Sequence, residues 1–430
     1  MLAPVLRLVG AVAIATVLAT PTSAQVAPAA AGLPTGSPAE AGLSPERLAR
    51  LHGRLDRFVA DGEIAGAVSI VARRGRVVDV HVTGLRDREQ HLPMTRDTIV
   101  RVYSMSKIVT TVAALILVEE GRLRLDDPIA RYLPALKSPK VFAGGTAARP
   151  RLVPATRPIT IRHLLTHTSG FAYGLAESPV DDMYRAKSLL TSPTSDAFIE
   201  KVAALPLIAQ PGQRFYYGVN TDVLGVIVEK VSGQRLGEFM QARIFGPLGM
   251  VDTAFVVPPE KRSRLANLYQ RDGTAPLAVA GVSPGSAGRT SVPYPDAEGR
   301  LFHSGGGGLF STADDYLRFA QMLLEGGALG GARILGRKTV ETMAADQNGR
   351  LPERTPSHLG FGFGVAMRLD HAGGAPAGSI GEYGWSGAAT TLVDIDPQER
   401  LVAVLLTQVL PYDQPQIFAV YRAMLNAAIE

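Results

Sequence analysis

Strand-like sequence in this chain is confined to its two ends, and that arrangement constrains the fold more than any other feature. Near the start, residues 67–72 and 77–82 are rich in β-branched side chains and are separated by Arg73-Arg74-Gly75-Arg76, a spacing that predicts a hairpin. Towards the end, residues 361–367, 389–395 and 401–407 have the same character. Between them, from about residue 101 to residue 247, the pattern turns helical and is broken by Pro and Gly, with a long loop over 135–158. Strands at both ends around a helical middle imply one sheet built from the two ends of the chain, an α+β arrangement. No internal repeat is visible.

Helix signals agree with this plan. Ser44-Pro45-Glu46 supplies a capping serine followed by proline at the first helical position, after which Leu48, Leu51, Leu55, Phe58 and Val59 share one face. A second capped helix starts at Ser311-Thr312-Ala313-Asp314 and ends near Gly326-Gly327, and an amphipathic helix over 416–429 closes the chain.

With 46% hydrophobic and 19% charged residues, the 430-residue chain can bury a large core, which excludes a disordered or collagen-like protein. Cysteine is absent, so disulfides, thiolate nucleophiles and cysteine metal sites are excluded, leaving Ser, His, Lys, Tyr and carboxylates as the chemical repertoire. The 44 basic and 39 acidic residues are scattered through the chain without the aromatic-interleaved basic stripe of a nucleic-acid binder, so no nucleic-acid partner is expected. The N-terminus carries Arg7, an apolar run from Leu8 to Ala19 and small residues up to Ala24, which predicts an export signal over 1–24 and a periplasmic or secreted protein. Residues 25–42 read as a flexible tether. No later stretch is long and apolar enough for a membrane span.

The most informative segment is Ser104-Met105-Ser106-Lys107, which enters an apolar helix running to Glu120-Gly121. Residues three apart on a helix share a face, so Lys107 is expected beside Ser104. At the helix start Ser104 meets the positive end of the dipole, where a backbone N–H can stabilise an oxyanion. A buried lysine can accept a proton or act as a fixed cation next to a weak nucleophile. Downstream stand His163-Leu164-Leu165-Thr166-His167-Thr168-Ser169-Gly170, the run Phe215-Tyr216-Tyr217-Gly218-Val219-Asn220-Thr221-Asp222, four glycines at 305–308, and Tyr383-Gly384-Trp385-Ser386-Gly387-Ala388.

In this order, these blocks resemble the serine β-lactamase and DD-peptidase superfamily, in its class C-like branch, with the family VIII carboxylesterases the nearest group. The resemblance spans about residues 43–429. It implies a β-lactamase-like fold: an antiparallel sheet flanked by helices, formed by about 43–100 and 303–430, beside a helical part over about 101–302. It further implies Ser104 as acylated nucleophile, Lys107 as its proton partner and Tyr217 as general base and acid, with Tyr216 the alternative tyrosine. A phenol, which ordinarily ionises near pH 10, needs a neighbouring cation to serve as base, and the order of proton transfer within the Lys107–Tyr217 pair stays open. The oxyanion hole would use the amides of Ser104 and Ala388.

Two positions depart from the pattern. Val219 takes the place of the asparagine in the tyrosine motif, with Asn220 one residue later. The third motif, usually Lys-Thr-Gly, is Trp385-Ser386-Gly387, and no lysine follows Lys338. The cation that would grip the carboxylate of a β-lactam or peptide is therefore missing from its strand, as in the esterase branch. Trp385, Ser386, Gly387, His303 and Tyr216 are the expected substrate contacts.

Other motifs read as decoys. Gly281-Val282-Ser283-Pro284-Gly285 has the spacing of a nucleophile elbow but is followed by Pro and Gly where a helix is required. His163 and His167 have zinc-helix spacing without the general-base Glu, and a structural or cleft-lining role is expected. Lys338-Thr339-Val340 lacks the glycine of Lys-Thr-Gly. The four glycines lack the Lys-Ser/Thr of a phosphate loop and suggest close backbone packing. No metal or organic cofactor is implied. The sequence thus points to a serine hydrolase acting on small or short-chain carboxylic esters, with β-lactam or D-amino-acid peptide hydrolysis, or a non-catalytic cell-wall binding protein, as the alternatives.

Overall fold

The computed structural model describes residues 32–273, 275–280, 302–349, 359–371, 377–412 and 416–430. The export signal and the Gly281–Gly285 motif lie outside the described residues. Helix α1 (Pro45–Ala60) opens on the Ser44 cap, whose Oγ accepts the Arg47 amide at 3.4 Å. Strands β1 (Gly66–Arg73) and β2 (Arg76–Asp87) form the expected hairpin, with Arg74 at φ 53° and Gly75 at φ 76° making its two-residue turn. A short β3 (Leu92–Pro93) follows.

The late strands are β4 (Leu359–Phe361), β5 (Ala366–Arg368), β6 (Tyr383–Gly387), β7 (Thr391–Asp396) and β8 (Leu401–Leu406). The stretch 361–367, expected as one strand, thus holds the end of β4, a turn with Gly364 at φ 68° and the start of β5. All eight strands form one sheet in the order β4-β5-β6-β7-β8-β1-β2-β3. Val68↔Leu406 through Arg73↔Leu401 pair antiparallel, which joins the two ends of the chain at the sheet centre.

Central strands β1 and β8 are buried on both faces. Their alternate residues feed two cores. Val68, Ile70, Val402 and Val404 face the helical region, whereas Ala67, Val71, Ala403 and Leu405 face α1 and the closing helix α5 (Ile417–Ala427). On the first face lie α2 (Ser106–Glu119), α3 (Asn220–Ser232) and α4 (Ala313–Leu324). Between α2 and α3, where a loop was expected over 135–158, strands Lys140–Gly145 and Pro150–Pro154 form a hairpin.

The expected tether ends earlier than residue 42. Gly36 donates to the Val77 carbonyl at 2.9 Å, and Arg73, only 4% exposed, donates to the carbonyls of Ala41 and Gly42 at 3.0 and 2.5 Å, so residues 32–42 are held against the sheet. No helix among the described residues is long and apolar enough to cross a membrane.

Candidate active site

Ser104 sits in a single 3₁₀ turn, Tyr103–Met105, that leads directly into α2. Tyr103 has φ 44°, a left-handed conformation that costs a non-glycine residue about 1–3 kcal/mol and persists only where its surroundings over-determine it. They do so here. Tyr316 Oη donates to the Met105 carbonyl at 2.8 Å, the Leu309 amide donates to Ser106 Oγ at 3.1 Å, and the Val102 amide donates to the Leu309 carbonyl at 3.1 Å. Helix α2 is largely apolar and every residue from Ser106 to Leu117 is buried, so Lys107 leaves it into the interior and is 1% exposed.

The three side chains singled out from the sequence meet at one oxygen. Tyr217 Oη donates to Ser104 Oγ at 2.7 Å, and Lys107 Nζ donates to the same Oγ at 3.1 Å. Lys107 Nζ also donates to the Gly306 carbonyl at 2.6 Å and stands 4.8 Å from the centre of the Tyr217 ring. Four glycines allow this approach: a Cβ on Gly306 would lie 2.3 Å from Asp222 Oδ2, and one on Gly305 would lie 2.8 Å from the Thr221 carbonyl. Asp222 fastens the loop to α3, accepting from the Gly306 amide at 3.0 Å and from Ser304 Oγ at 2.5 Å. Burial pushes the Asp222 carboxyl above the usual carboxylate range, and the nearby Lys107 pulls it the other way.

Aromatic rings surround the tyrosine. Tyr173 stacks on Tyr217 at 5.7 Å, Trp385 lies at 5.6 Å with Nε1 donating to Tyr217 Oη at 3.4 Å, and His167 stacks underneath at 4.9 Å. Burial pushes the Tyr173 phenol well above its ordinary value, helped by Asp222 and Tyr217. It holds the His167 imidazole well below its own, with the Lys107 charge adding to the effect. Nδ1 of His167 accepts from Asn220 Nδ2 at 2.9 Å and from the Gly218 amide at 3.4 Å, so Nε2 carries the hydrogen; it finds no partner among the described residues. Tyr217 therefore rests on a neutral, fixed ring.

Several expected contacts go elsewhere. Tyr216 turns away from Ser104 and donates to Asp181 Oδ2 at 2.5 Å; burial and that carboxylate push its phenol up to about 12, so the geometry selects Tyr217. His303 does not face the site. Its Nδ1 accepts the Gly237 amide at 3.1 Å, capping the helix Leu236–Met240, and its ring lies flat on Phe255 at 4.5 Å. Burial and Arg235, 2.9 Å from Nε2, hold it down to about 4.

Strand alternation separates Trp385 from Ser386. Ser386 Oγ lies 2.7 Å from Tyr412 Oη and lines a cavity of about 170 Å³ with Arg368, Glu382, Asp394 and Arg422, to which Trp385 also contributes. Gly387 has a steric role: a Cβ there would lie 2.3 Å from the Val102 carbonyl and 2.2 Å from Thr391 Oγ1. Its absence lets the end of β6 press against the backbone that enters the Ser104 turn. Asn220 is fully buried, and its side chain is engaged with His167 and Ser169. His163 and His167 do not converge: His163 belongs to the capping box of the helix Ile161–Leu165, and His167 follows that helix at φ 54°. Lys338-Thr339-Val340 lies within the helix Arg337–Met343.

Sequence reasoning missed Tyr173, Asp222 and the Gly306 carbonyl, whereas the structural or cleft-lining role expected of His167 agrees with its place beneath Tyr217. The Thr-Asp pair opening α3 and the four glycines were visible, but nothing in the sequence paired them.

The family model described as Beta-lactamase matches residues 51–427. The chain belongs to the beta-lactamase family. Among curated members, the protein Rv1367c of Mycobacterium tuberculosis is 37% identical over 370 residues, covering 83% of this chain and 88% of its own length. Esterase EstB of Burkholderia gladioli is 32% identical over 379 residues, covering 84% and 90%. Among solved structures, EstCE1, described as a hydrolase with promiscuous acyltransferase activity, superposes with a TM-score of 0.73 at 30% identity, covering 89% of this chain and 98% of that one. The family, the α+β fold and the esterase and acyltransferase relatives identify a β-lactamase-related serine hydrolase.

Proposed function

We propose that this member of the family hydrolyses small carboxylic esters through an acyl-enzyme on Ser104. The observation that carries the reading is the convergence of Tyr217 Oη, at 2.7 Å, and Lys107 Nζ, at 3.1 Å, on Ser104 Oγ. In the first half-reaction Oγ bonds to the ester carbonyl carbon and its proton passes into the Lys107–Tyr217 pair. The alkoxide leaves and takes that proton, and the acyl group stays on Oγ. In the second, water adds to the acyl carbon through the same pair, the Oγ bond breaks, and the carboxylic acid departs as Oγ regains its hydrogen. Lys107 touches both Oγ and the Tyr217 ring, so one cation meets the charge wherever it develops. The amides of Ser104 and Ala388 are the proposed oxyanion donors, a role that fits the contact between the end of β6 and the Val102 carbonyl.

Ester rather than β-lactam or peptide hydrolysis is favoured by the third motif. Trp385 stands in the place of its lysine, so a substrate carboxylate meets an indole there. The name of EstB supports the same reading. The promiscuous acyltransferase activity of EstCE1 favours one variation, in which an alcohol replaces water in the second half-reaction.

Turnover of an aryl acetate and of a chromogenic cephalosporin, measured side by side, tests the proposal. The expected result is clear turnover of the acetate with the cephalosporin far slower. Cephalosporin hydrolysis matching or exceeding that of the acetate would overturn it, and so would muropeptide binding unchanged in Ser104→Ala with no turnover of any ester.

A further inference from the structure

The two signs of charge are mixed along most of the chain, but one stretch departs from that pattern. Residues 128–176 hold seven Arg and Lys and no Asp or Glu, although the whole chain carries a net charge of only +5. The centre of this stretch is the unanticipated hairpin. Its inner strand, Lys140–Gly145, is bolted to the body: Phe142 donates to the Leu207 carbonyl and Leu207 donates to the Lys140 carbonyl, both at 2.8 Å, while Val141 is buried. Its outer strand, Pro150–Pro154, has no further strand beside it among the described residues.

That outer strand combines two properties. Leu152 and Val153 are 41% and 37% exposed, two of the few large apolar side chains on the described surface. Along the same stretch of chain Lys137, Lys140, Arg149, Arg151 and Arg157 are all exposed, and none has a carboxylate partner among the described residues, although Arg151 donates to the Ala143 carbonyl across the hairpin. Pro150 and Pro154 remove amides from the edge, which blocks strand-to-strand pairing with a second copy. The hairpin also lacks exposed aromatics that could stack on nucleic-acid bases. Exposed aliphatic side chains amid cations without carboxylate partners match an anionic bilayer: the cations meet its headgroups while the apolar side chains enter the boundary of the acyl chains.

We propose that the Lys140–Pro154 hairpin docks this protein peripherally on anionic lipid membranes. The surface is independent of the Ser104 chemistry, so either reading can fail without the other. Near such a surface each Lys or Arg contributes about fivefold to partitioning.

The test is co-sedimentation of the full chain with vesicles of phosphatidylcholine alone and with about a third phosphatidylglycerol, at low and high salt. Wild type should bind only the anionic vesicles and be released by salt. Arg149→Gln/Arg151→Gln should bind about 25-fold more weakly, from two such contributions, and Leu152→Ser/Val153→Ser should also lose binding. Both variants should keep the wild-type melting temperature and ester turnover without vesicles, because neither pair touches the core or the site. Absence of binding to the anionic vesicles, or binding undiminished in both variants, would overturn the proposal. So would loss with the charge variant alone accompanied by equal binding to soluble polyglutamate, which would make the face a general polyanion surface.

Discussion

Replacing Gly387 with alanine perturbs the site without removing any functional group. The added Cβ would sit 2.3 Å from the Val102 carbonyl and 2.2 Å from Thr391 Oγ1, where ordinary contact begins at 3.4 Å. Thr391 can rotate away, at the expense of the bond its Oγ1 makes to the Val102 carbonyl at 3.3 Å. The carbonyl cannot, because it belongs to the backbone entering the Ser104 turn, which Leu309 and Tyr316 hold from the other side. The end of β6 must therefore retreat by roughly 1 Å. Overpacking of this kind costs about 1–3 kcal/mol of stability. A 1 Å misplacement in a catalytic constellation costs about 10²-fold, and loss of one oxyanion donor costs about 2.7–4 kcal/mol of transition-state stabilisation. Gly387→Ala should accordingly stay folded and lose about 10²- to 10³-fold in kcat/KM for an aryl acetate, by those same magnitudes. Ser386→Ala, on the opposite face of the same strand, should stay within about threefold of wild type, since surface changes remote from a site are small. A Gly387→Ala enzyme of wild-type activity would refute the placement of β6 against the nucleophile turn.

Three other outcomes follow from the geometry. Tyr217→Phe should lower kcat by about 10²–10⁴-fold, the range of a lost acid–base group, whereas Tyr216→Phe should change it by less than about threefold; steady-state kinetics on one ester separates them. His303 moves from an ordinary 6.5 to about 4 on folding, so the stability tied to its neutral form is complete above pH 6.5 and is lost as pH falls towards 4, by about 3 kcal/mol. Melting temperatures from pH 7 to pH 4 should fall less steeply for His303→Asn, which keeps an acceptor for the Gly237 amide without a titrating group. Asn220→Ala should leave KM nearly unchanged and lower kcat, because it frees His167 beneath Tyr217 rather than touching substrate; a raised KM with unchanged kcat would contradict that placement.

Features set by local rules were legible in the sequence. The Ser44 cap, the Arg74-Gly75 turn and helix α4 each depend on a few adjacent residues, and the structure has all three. The same holds for Ser104 and Lys107, whose three-residue spacing on a helix is itself a local geometry. Tyr217 was found through its motif, and only the fold brings it to Ser104 across 113 positions. What stayed hidden depends on tertiary contact. The pairing of Val68 with Leu406 has no local signature. The turn within 361–367 was masked by apolar residues that suit a strand equally well. His303 and Tyr216 have the right chemistry for a pocket, and only the positions of Gly237 and Asp181 show that both are engaged elsewhere. The hairpin over 140–154 was hidden because its glycines and prolines signal a loop, while its pairing comes from the register of Val141 with Val153.

The central claim is that one alcohol oxygen, Ser104 Oγ, carries the acyl group. Labelling with a serine-reactive fluorophosphonate, followed by intact mass and peptide mapping, measures this directly. Wild type should gain one adduct, located on Ser104, Tyr217→Phe should gain it much more slowly, and Ser104→Ala should gain none. An adduct of equal yield in Ser104→Ala, or one mapped to another serine, would contradict the account.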